Sequence, residues 1–268
     1  MTYSSVGGLE VSLDGGVLRL RLDRPAKRNA ISDEMMSALV EAVEAAGVDE
    51  DVRVVLLEGA GEHFCAGADV VARNADRDAK PRTGSIQRRL PVQAHRLIPL
   101  IVSVQTPVVC KVRGWAAGIG FQLALAADFT IAAEDARFWE PFVERGFTPD
   151  SGATWLLPRR VGVTRARELL VLGRVLSGAE AAEWRAIHAA VAPGDLDRAV
   201  EEVVARLASG PTVALGLTKW LLHRGAESPL DQHLAHEAFA LELSSRTADF
   251  REGMAAFVEK RPPRFEGR

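Results

Sequence analysis

Cysteine is scarce in this chain. Its 268 residues include two, Cys65 and Cys110. Both sit among apolar or small residues, match no metal-ligand spacing, and are expected to be reduced thiols. No run of about 18 apolar residues occurs, which excludes an obvious bilayer-spanning helix. A basic excess is also missing. The formal net charge is −3, and a nucleic-acid partner needs a basic surface to meet its phosphates. Met1 to Glu10 holds no basic stretch followed by an apolar one, so no secretory leader is expected and a cytoplasmic location is. There is no low-complexity segment. Gly114 to Gly120 reads Gly-x-x-x-Gly-x-Gly but lacks the Lys-Ser/Thr ending of a phosphate loop and the spacing of a dinucleotide turn.

What is present is a core. Hydrophobic residues make up 47% of the chain, enough for one large domain or one domain with a helical appendage. Glu10 to Leu13 and Val17 to Leu22 flank Asp14-Gly15-Gly16, a hairpin signal. Ser32 caps a helix whose apolar positions Met35, Met36, Leu39, Val40 and Val43 recur at helical spacing up to Gly47. Val52 to Leu57 is an uninterrupted apolar run, as expected of a strand covered on both faces. Further strands are expected at Pro107–Val112, Asp128–Ala132 and Ala136–Trp139. Helices are expected over Leu90–Val104 with a break or bend at Pro99, over Phe121–Ala127, and as a short piece from Pro141 to Arg145. Beyond Ala153 the pattern is mostly helical. The expected organisation is α/β: a core over residues 1–210 and a helical region over 211–268. Ala72 to Arg89 reads as a polar loop. From Arg73 to Arg96 there are seven Lys or Arg residues against two acidic ones, so the loop is either plain solvated surface or a lid over a site for an anion.

Two stretches carry the chemistry. His63-Phe64-Cys65-Ala66-Gly67-Ala68-Asp69 and Arg113-Gly114-Trp115-Ala116-Ala117-Gly118-Ile119-Gly120 each follow an apolar strand and each open towards a helix. Such turns leave backbone N–H groups free for an anion. Two of them can present two donors to one oxygen. Together with Arg24-Pro25, Asn29-Ala30-Ile31 and Pro149-Asp150-Ser151-Gly152, in this order, they resemble the crotonase superfamily, the enoyl-CoA hydratase/isomerase family. The resemblance covers nearly the whole chain.

It implies a spiral of ββα units, a helical C-terminal region that builds a homotrimer or a dimer of trimers, and an acyl-CoA thioester as substrate. Coenzyme A would arrive as part of that substrate, with no separate cofactor and no metal. The resemblance makes the N–H groups of Ala68 and Ile119 the oxyanion donors. Lys27, Arg28, Ala66, Gly118, Gln122, Phe142 and the backbone at Asp69 would lie along the substrate. Phe257 and Lys260 resemble residues that approach the adenine end from a neighbouring subunit.

The departures from the family pattern bear on the reaction. Gln122 and Phe142 stand where hydratases carry two glutamates, and neither can take up a proton at neutral pH. Glu140 and Glu144 are each two residues away from Phe142, a spacing that in a helix turns a side chain off the face. Asp150 sits at a position similar to the acid/base of double-bond isomerases in the superfamily, and burial beside Phe142, Phe147 and Trp155 is expected to make it a better base. An isomerase with Asp150 as the single proton shuttle is the first expectation. Others are a hydratase or hydrolase in which Glu140 or Asp150 activates water, a dehalogenase with Asp150 as nucleophile and His95 as base, and a silent acyl-CoA binding protein. The plain role for Asp150 is a helix cap, for Asp69 a turn residue, and for His63 a turn or surface residue. A zinc site at His233, His236 and Glu237 has no further ligand pattern behind it.

Overall fold

A computed structural model describes residues 3–70 and 82–268. The chain opens with the expected hairpin. β1 (Leu9–Asp14) and β2 (Val17–Leu22) pair antiparallel, with Asp14 opposite Val17. Leu18, Leu20 and Leu22 point into the core, while Arg19 and Arg21 between them face out, the period-2 pattern of a half-buried strand. Helix α1 (Asp33–Ala46) starts where Ser32 Oγ accepts from the Met35 N–H at 3.2 Å. Its buried face carries Met35, Met36, Leu39, Val40 and Val43, one apolar stripe at the 3.6-residue repeat.

β3 (Val54–Gly59), short α2 (Ser85–Arg89), α3 (Ala94–Ser103), β4 (Val108–Val112), β5 (Trp115–Ala117), α4 (Ile119–Ala126), β6 (Phe129–Ala133) and β7 (Arg137–Trp139) follow. After them come α5 (Ala153–Leu170), β8 (Leu176–Ser177), α6 (Gly178–Glu183), β9 (Ala189–Val191) and α7 (Leu196–Ala208), then α8 (Thr212–Gly225), α9 (Leu230–Ser244) and α10 (Ala248–Glu259). The larger sheet runs β1-β2-β3-β4-β6-β9, parallel from β2 onward. The smaller runs β5-β7-β8. Val54, Val55, Leu56 and Leu57 are all buried, because helices cover both faces of a parallel sheet. α7 closes the face opposite α1 with Leu196, Val200, Val204 and Leu207.

Four expectations need correction. Leu90–Val104 does break, but at Gln93 (φ −124°, ψ −116°), between a 3-10 turn at Leu90–Val92 and α3. Pro99 sits inside α3. Glu140–Arg145 forms no α-helix. β7 runs out at Trp139, and a 3-10 turn at Val143–Arg145 is closed by Gly146 in the left-handed region. The polar stretch from Ala72 includes α2, which begins after left-handed Gly84; the remainder of that stretch up to residue 81, and the helix expected beyond Val70, lie outside the described residues. β8 and β9 were not expected. They span two and three residues, too short for any pattern, and exist because neighbouring strands offer them hydrogen bonds.

Candidate active site

The site is built where the two glycine turns cross. Cys65 bridges Ala116: its N–H donates to the Trp115 carbonyl at 2.9 Å and its carbonyl accepts from the Ala117 N–H at 2.8 Å. The approach is close enough that a Cβ on Gly120 would lie 2.7 Å from Cys65 Cβ, so only glycine fits there. One residue pair further on, Ile31 bridges Ala68. The Ile31 N–H donates to Gly67 and the Asp69 N–H donates to Ile31, both at 2.9 Å. Because backbone groups alternate in an extended segment, the Ala68 N–H is turned away from that bridge. Ile119 is the first residue of α4, where no intrahelical acceptor exists. Neither N–H donates to another described residue. Both residues line one cavity of about 90 Å³, and Asp150 lines it too.

A polar clasp holds the first turn in place. Asn29 is fully buried, in the left-handed region at φ 57°. Its amide donates to the carbonyls of Ala60 at 2.9 Å and His63 at 2.6 Å, and its oxygen accepts from the Arg24 N–H at 2.8 Å. Arg24 in turn donates to the Ala30 carbonyl at 2.7 Å and to Asp69 Oδ2 at 2.8 Å, and Lys27 reaches the same oxygen at 3.4 Å. Asp69 is therefore a buried anchor for the loop before α1, in keeping with its plain reading as a turn residue. The Asn29 signal was its place in a motif; its work as a three-way tie between loops is visible only in the fold. His63 accepts from the Trp115 N–H at 3.4 Å, a turn contact.

Asp150 does not cap a helix with its side chain. Gly152 is the N-cap of α5, and no side chain bonds there. Ser151, at φ 51°, donates through Oγ to Asp150 Oδ1 at 2.9 Å, and its N–H donates to His95 Nε2 at 3.3 Å. His95 thus braces the Asp150 loop from the far side and lines a neighbouring groove with Trp155, outside the cavity of Ala68 and Ile119. Asp150 is half-buried. Phe142 and Phe147 line its cavity in an edge-to-face pair, 5.5 Å between centroids at 87°. Trp155 does not join them.

The deep burial expected of Asp150 falls on Glu140, which has no exposed surface. Gln122, expected along the substrate, is likewise fully buried and lies behind the cavity wall. Its Nε2 donates to both Glu140 oxygens, at 3.1 and 2.9 Å. The helix-based argument that set Glu140 off the face fails because residues 140–142 are not helical. Burial first, and the charge of Asp150 second, push the Glu140 carboxyl well above the ordinary carboxylate range, outweighing the Gln122 hydrogen bonds that act the other way.

The remaining candidates are spread out. Ala66 and Gly118 line the cavity, and Lys27 and Arg28 are exposed at its approach loop. Phe257, 80% exposed, and Lys260 lie at the end of α10, away from the cavity lining. His233 and Glu237 are 3.6 Å apart, and among the described residues no group of three metal-ligating side chains gathers. Cys65 and Cys110 are free and buried.

Comparison with known proteins agrees with this geometry. The enoyl-CoA hydratase/isomerase family model matches residues 12–268. The 1,2-epoxyphenylacetyl-CoA isomerase of Escherichia coli is 39% identical over 257 residues, 96% of this chain and 97% of that one. The crotonyl-CoA hydratase of Syntrophomonas wolfei is 33% identical, covering 92% of this chain and 93% of its own. The crystal structure of an enoyl-CoA hydratase from Bacillus anthracis superposes with a TM-score of 0.90 at 31% identity, over 98% of this chain and 100% of that one. With both free N–H donors, the crossed glycine turns and the spiral of ββα units in place, the chain belongs to the enoyl-CoA hydratase/isomerase family, with the crotonase fold.

Proposed function

We propose that this enzyme shifts the double bond of an enoyl-CoA thioester, using Asp150 as its single proton shuttle. The observation that carries the reading is the composition of the cavity. Among the described residues two uncommitted N–H groups and one carboxylate line it, while the positions of the two hydratase glutamates hold Phe142 and the buried Gln122. In this reading the Ala68 and Ile119 N–H groups hold the thioester oxygen. Asp150 removes the proton from the carbon next to the thioester of a 3-enoyl-CoA. The electron pair spreads over the dienolate, whose oxygen stays in the two-donor hole, and the same proton returns at the fourth carbon to give the 2-enoyl-CoA. Each oxyanion donor is worth about 2.7–4 kcal/mol and a placed acid/base about 10²–10⁴-fold, so these three groups suffice for a proton transfer beside a thioester.

Phe142, Phe147 and Leu90 make the acyl end of the cavity apolar. Lys27 and Arg28 supply cations for the coenzyme A phosphates. Exposed apolar residues on α8 to α10, among them Leu222, Phe239, Leu241 and Phe257, support assembly into trimers or paired trimers, and two free buried cysteines suit a reducing, cytoplasmic setting. The relatives include both an isomerase, at 39% identity, and a hydratase, at 33%, so the choice of isomerisation over hydration rests on the cavity lining, from which Glu140 is absent among the described residues.

The test is incubation with 3-enoyl-CoA and 2-enoyl-CoA in deuterated water. Isomer formation that vanishes in Asp150→Asn is expected. Hydroxyacyl-CoA as the main product would replace this reading with hydration, and tight thioester binding without turnover of either substrate would replace it with a binding protein.

A further inference from the structure

The least ordinary group in the molecule is a carboxyl outside the cavity. Glu140 is fully buried, and its described hydrogen-bond partner is one amide nitrogen, shared between its two oxygens. Among the described residues no cation reaches it. Behind it, Gln122 Oε1 is buried with no donor from any described residue. An ionised carboxylate here would be a buried charge without a counter-ion, and the orphaned amide oxygen would add a second cost. One proton removes both. A carboxylic acid has a donor to give, and an amide oxygen can take it. A turn about the last bond of the Gln122 side chain converts the shared donor into a cyclic pair, O–H to Oε1 and Nε2–H to the acid carbonyl. The amide's orientation is set by the hydrogen bonds around it, and only the protonated acid satisfies both of its ends.

The pair also stands in a particular place. Gln122 is one turn beyond Ile119 on α4, and the Gly118 N–H before Ile119 donates to the Trp139 carbonyl at 2.9 Å, the residue before Glu140. Pro141 and Phe142, just after, line the cavity. The charged and titratable groups around this wall are Asp150 before α5, His95 on α3 behind Ser151, and Arg145, which stacks on Trp139 at 5.7 Å. Of these, Asp150 acts on the charge of Glu140.

We propose that Glu140 is kept as a neutral carboxylic acid, paired with the Gln122 amide, so that Asp150 is the one carboxylate charge at the oxyanion site. Two carboxylates whose charges act on one another cannot both ionise easily. Placing the proton on the enclosed acid leaves the cavity-facing one free to act as the base. It also keeps a second negative charge away from the dienolate oxygen. Glu140 is thus a positioning residue for the proposed isomerisation: it acts through Asp150 and touches no substrate.

This inference rests on the isomerase reading for its purpose, but its test does not need turnover. Protein labelled with ¹³C at the glutamate carboxyls is titrated, and the Glu140 signal is assigned by its loss in Glu140→Gln. The expected result is a protonated Glu140 at pH 7, titrating above the other glutamates, with its midpoint lower in Asp150→Asn than in the native protein. An ionised Glu140 at pH 7, or a midpoint unmoved by Asp150→Asn, overturns the proposal even if the enzyme is an isomerase. A protonated and responsive Glu140 upholds it even if the reaction proves to be another. If Glu140→Gln does not fold, Gln122→Met assigns the same signal by removing the amide partner. In turnover, an alkaline fall in kcat/KM that is present in the native enzyme and absent from Glu140→Gln separates a positioning role from a purely structural one.

Discussion

Two buried polar sites in this molecule make opposite use of charge. At the base of the helical region, Lys219 on α8 meets three acceptors: the carbonyls of Ile101 at 2.9 Å and Thr106 at 3.2 Å, and Asp128 Oδ2 at 2.7 Å. Asp128 also accepts from the Val108 N–H at 2.7 Å. Every proton of the ammonium is placed. Burial still outweighs attraction, drawing Lys219 below and Asp128 above their ordinary ranges, yet the ion pair is complete and ties α8 to the sheet. Behind the cavity, among the described residues, Glu140 has no cation and the Gln122 oxygen has no donor. A satisfied buried pair fixes a structure. An unsatisfied one beside a cavity holds a proton.

The contrast breaks most sharply at Asp150. If it is the one ionised carboxylate of the cavity, Asp150→Asn lowers kcat/KM for isomerisation by about 10²–10⁴-fold, with the fold intact by circular dichroism, since its side chain caps no helix. A loss of less than tenfold would remove Asp150 from the mechanism.

The structural site should answer in stability instead. Lys219→Met leaves the partly buried Asp128 without its ammonium and is expected to cost about 3 kcal/mol in denaturant unfolding, the low end for a buried ion pair. The double variant with Asp128→Leu should recover much of this, because the unpaired charge goes too. Thioester binding by the folded fraction should not change. Equal losses in single and double variants would mean that the pair's worth lies in packing alone.

How much of this contrast was legible in the sequence follows from how local each signal is. The β1–β2 hairpin, the Ser32 cap and the stripe of α1 are written within a few residues, and all form as read. So are the two glycine turns, whose crossing places Ala68 and Ile119 together. The Glu140–Gln122 contact spans 18 positions and depends on the turn after β7, which reads in the sequence as a short helix. Asn29 was legible as a motif member but not as a three-way tie between two loops, because its partners are backbone groups that leave no mark on composition. β8 and β9 exist through pairing alone.

A smaller effect distinguishes the two sites by pH. Glu140 is raised in the folded protein, so the folded state holds a proton that the unfolded state releases above the ordinary glutamate range. Its stabilising contribution is full below that range and is lost as pH rises towards the folded value, by at most about 1.4 kcal/mol per pH unit for one proton. Asp128 is shifted in the same direction, so the measurement is a difference. Stability of Glu140→Gln minus that of the native protein should grow with pH above the glutamate range, while Asp128 cancels. A flat difference would mean that Glu140 ionises alike in both states.

The smallest expected effect is at the cysteines, and it tests the rigidity on which the comparison rests. Cys65 lies fully buried under the Ala68 turn, with its Sγ accepting from the Gly67 N–H at 3.4 Å. Burial pushes its thiol up to about 12, and that of Cys110 higher still. The thiolate is the reactive form, so at pH 8 neither thiol should react with a disulfide reagent faster than the protein unfolds. Cys65 is the informative one. Any local opening that would misalign the Ala68 donor must also expose it, since Cys65 and Ala68 belong to one turn. Reaction of Cys65 ahead of Cys110 would reveal such an opening, and its slowing by an added acyl-CoA would place that opening at the proposed oxyanion hole. Reaction of both thiols at one common rate, set by global unfolding, would show the donors are held as firmly as the core strand β4 that carries Cys110.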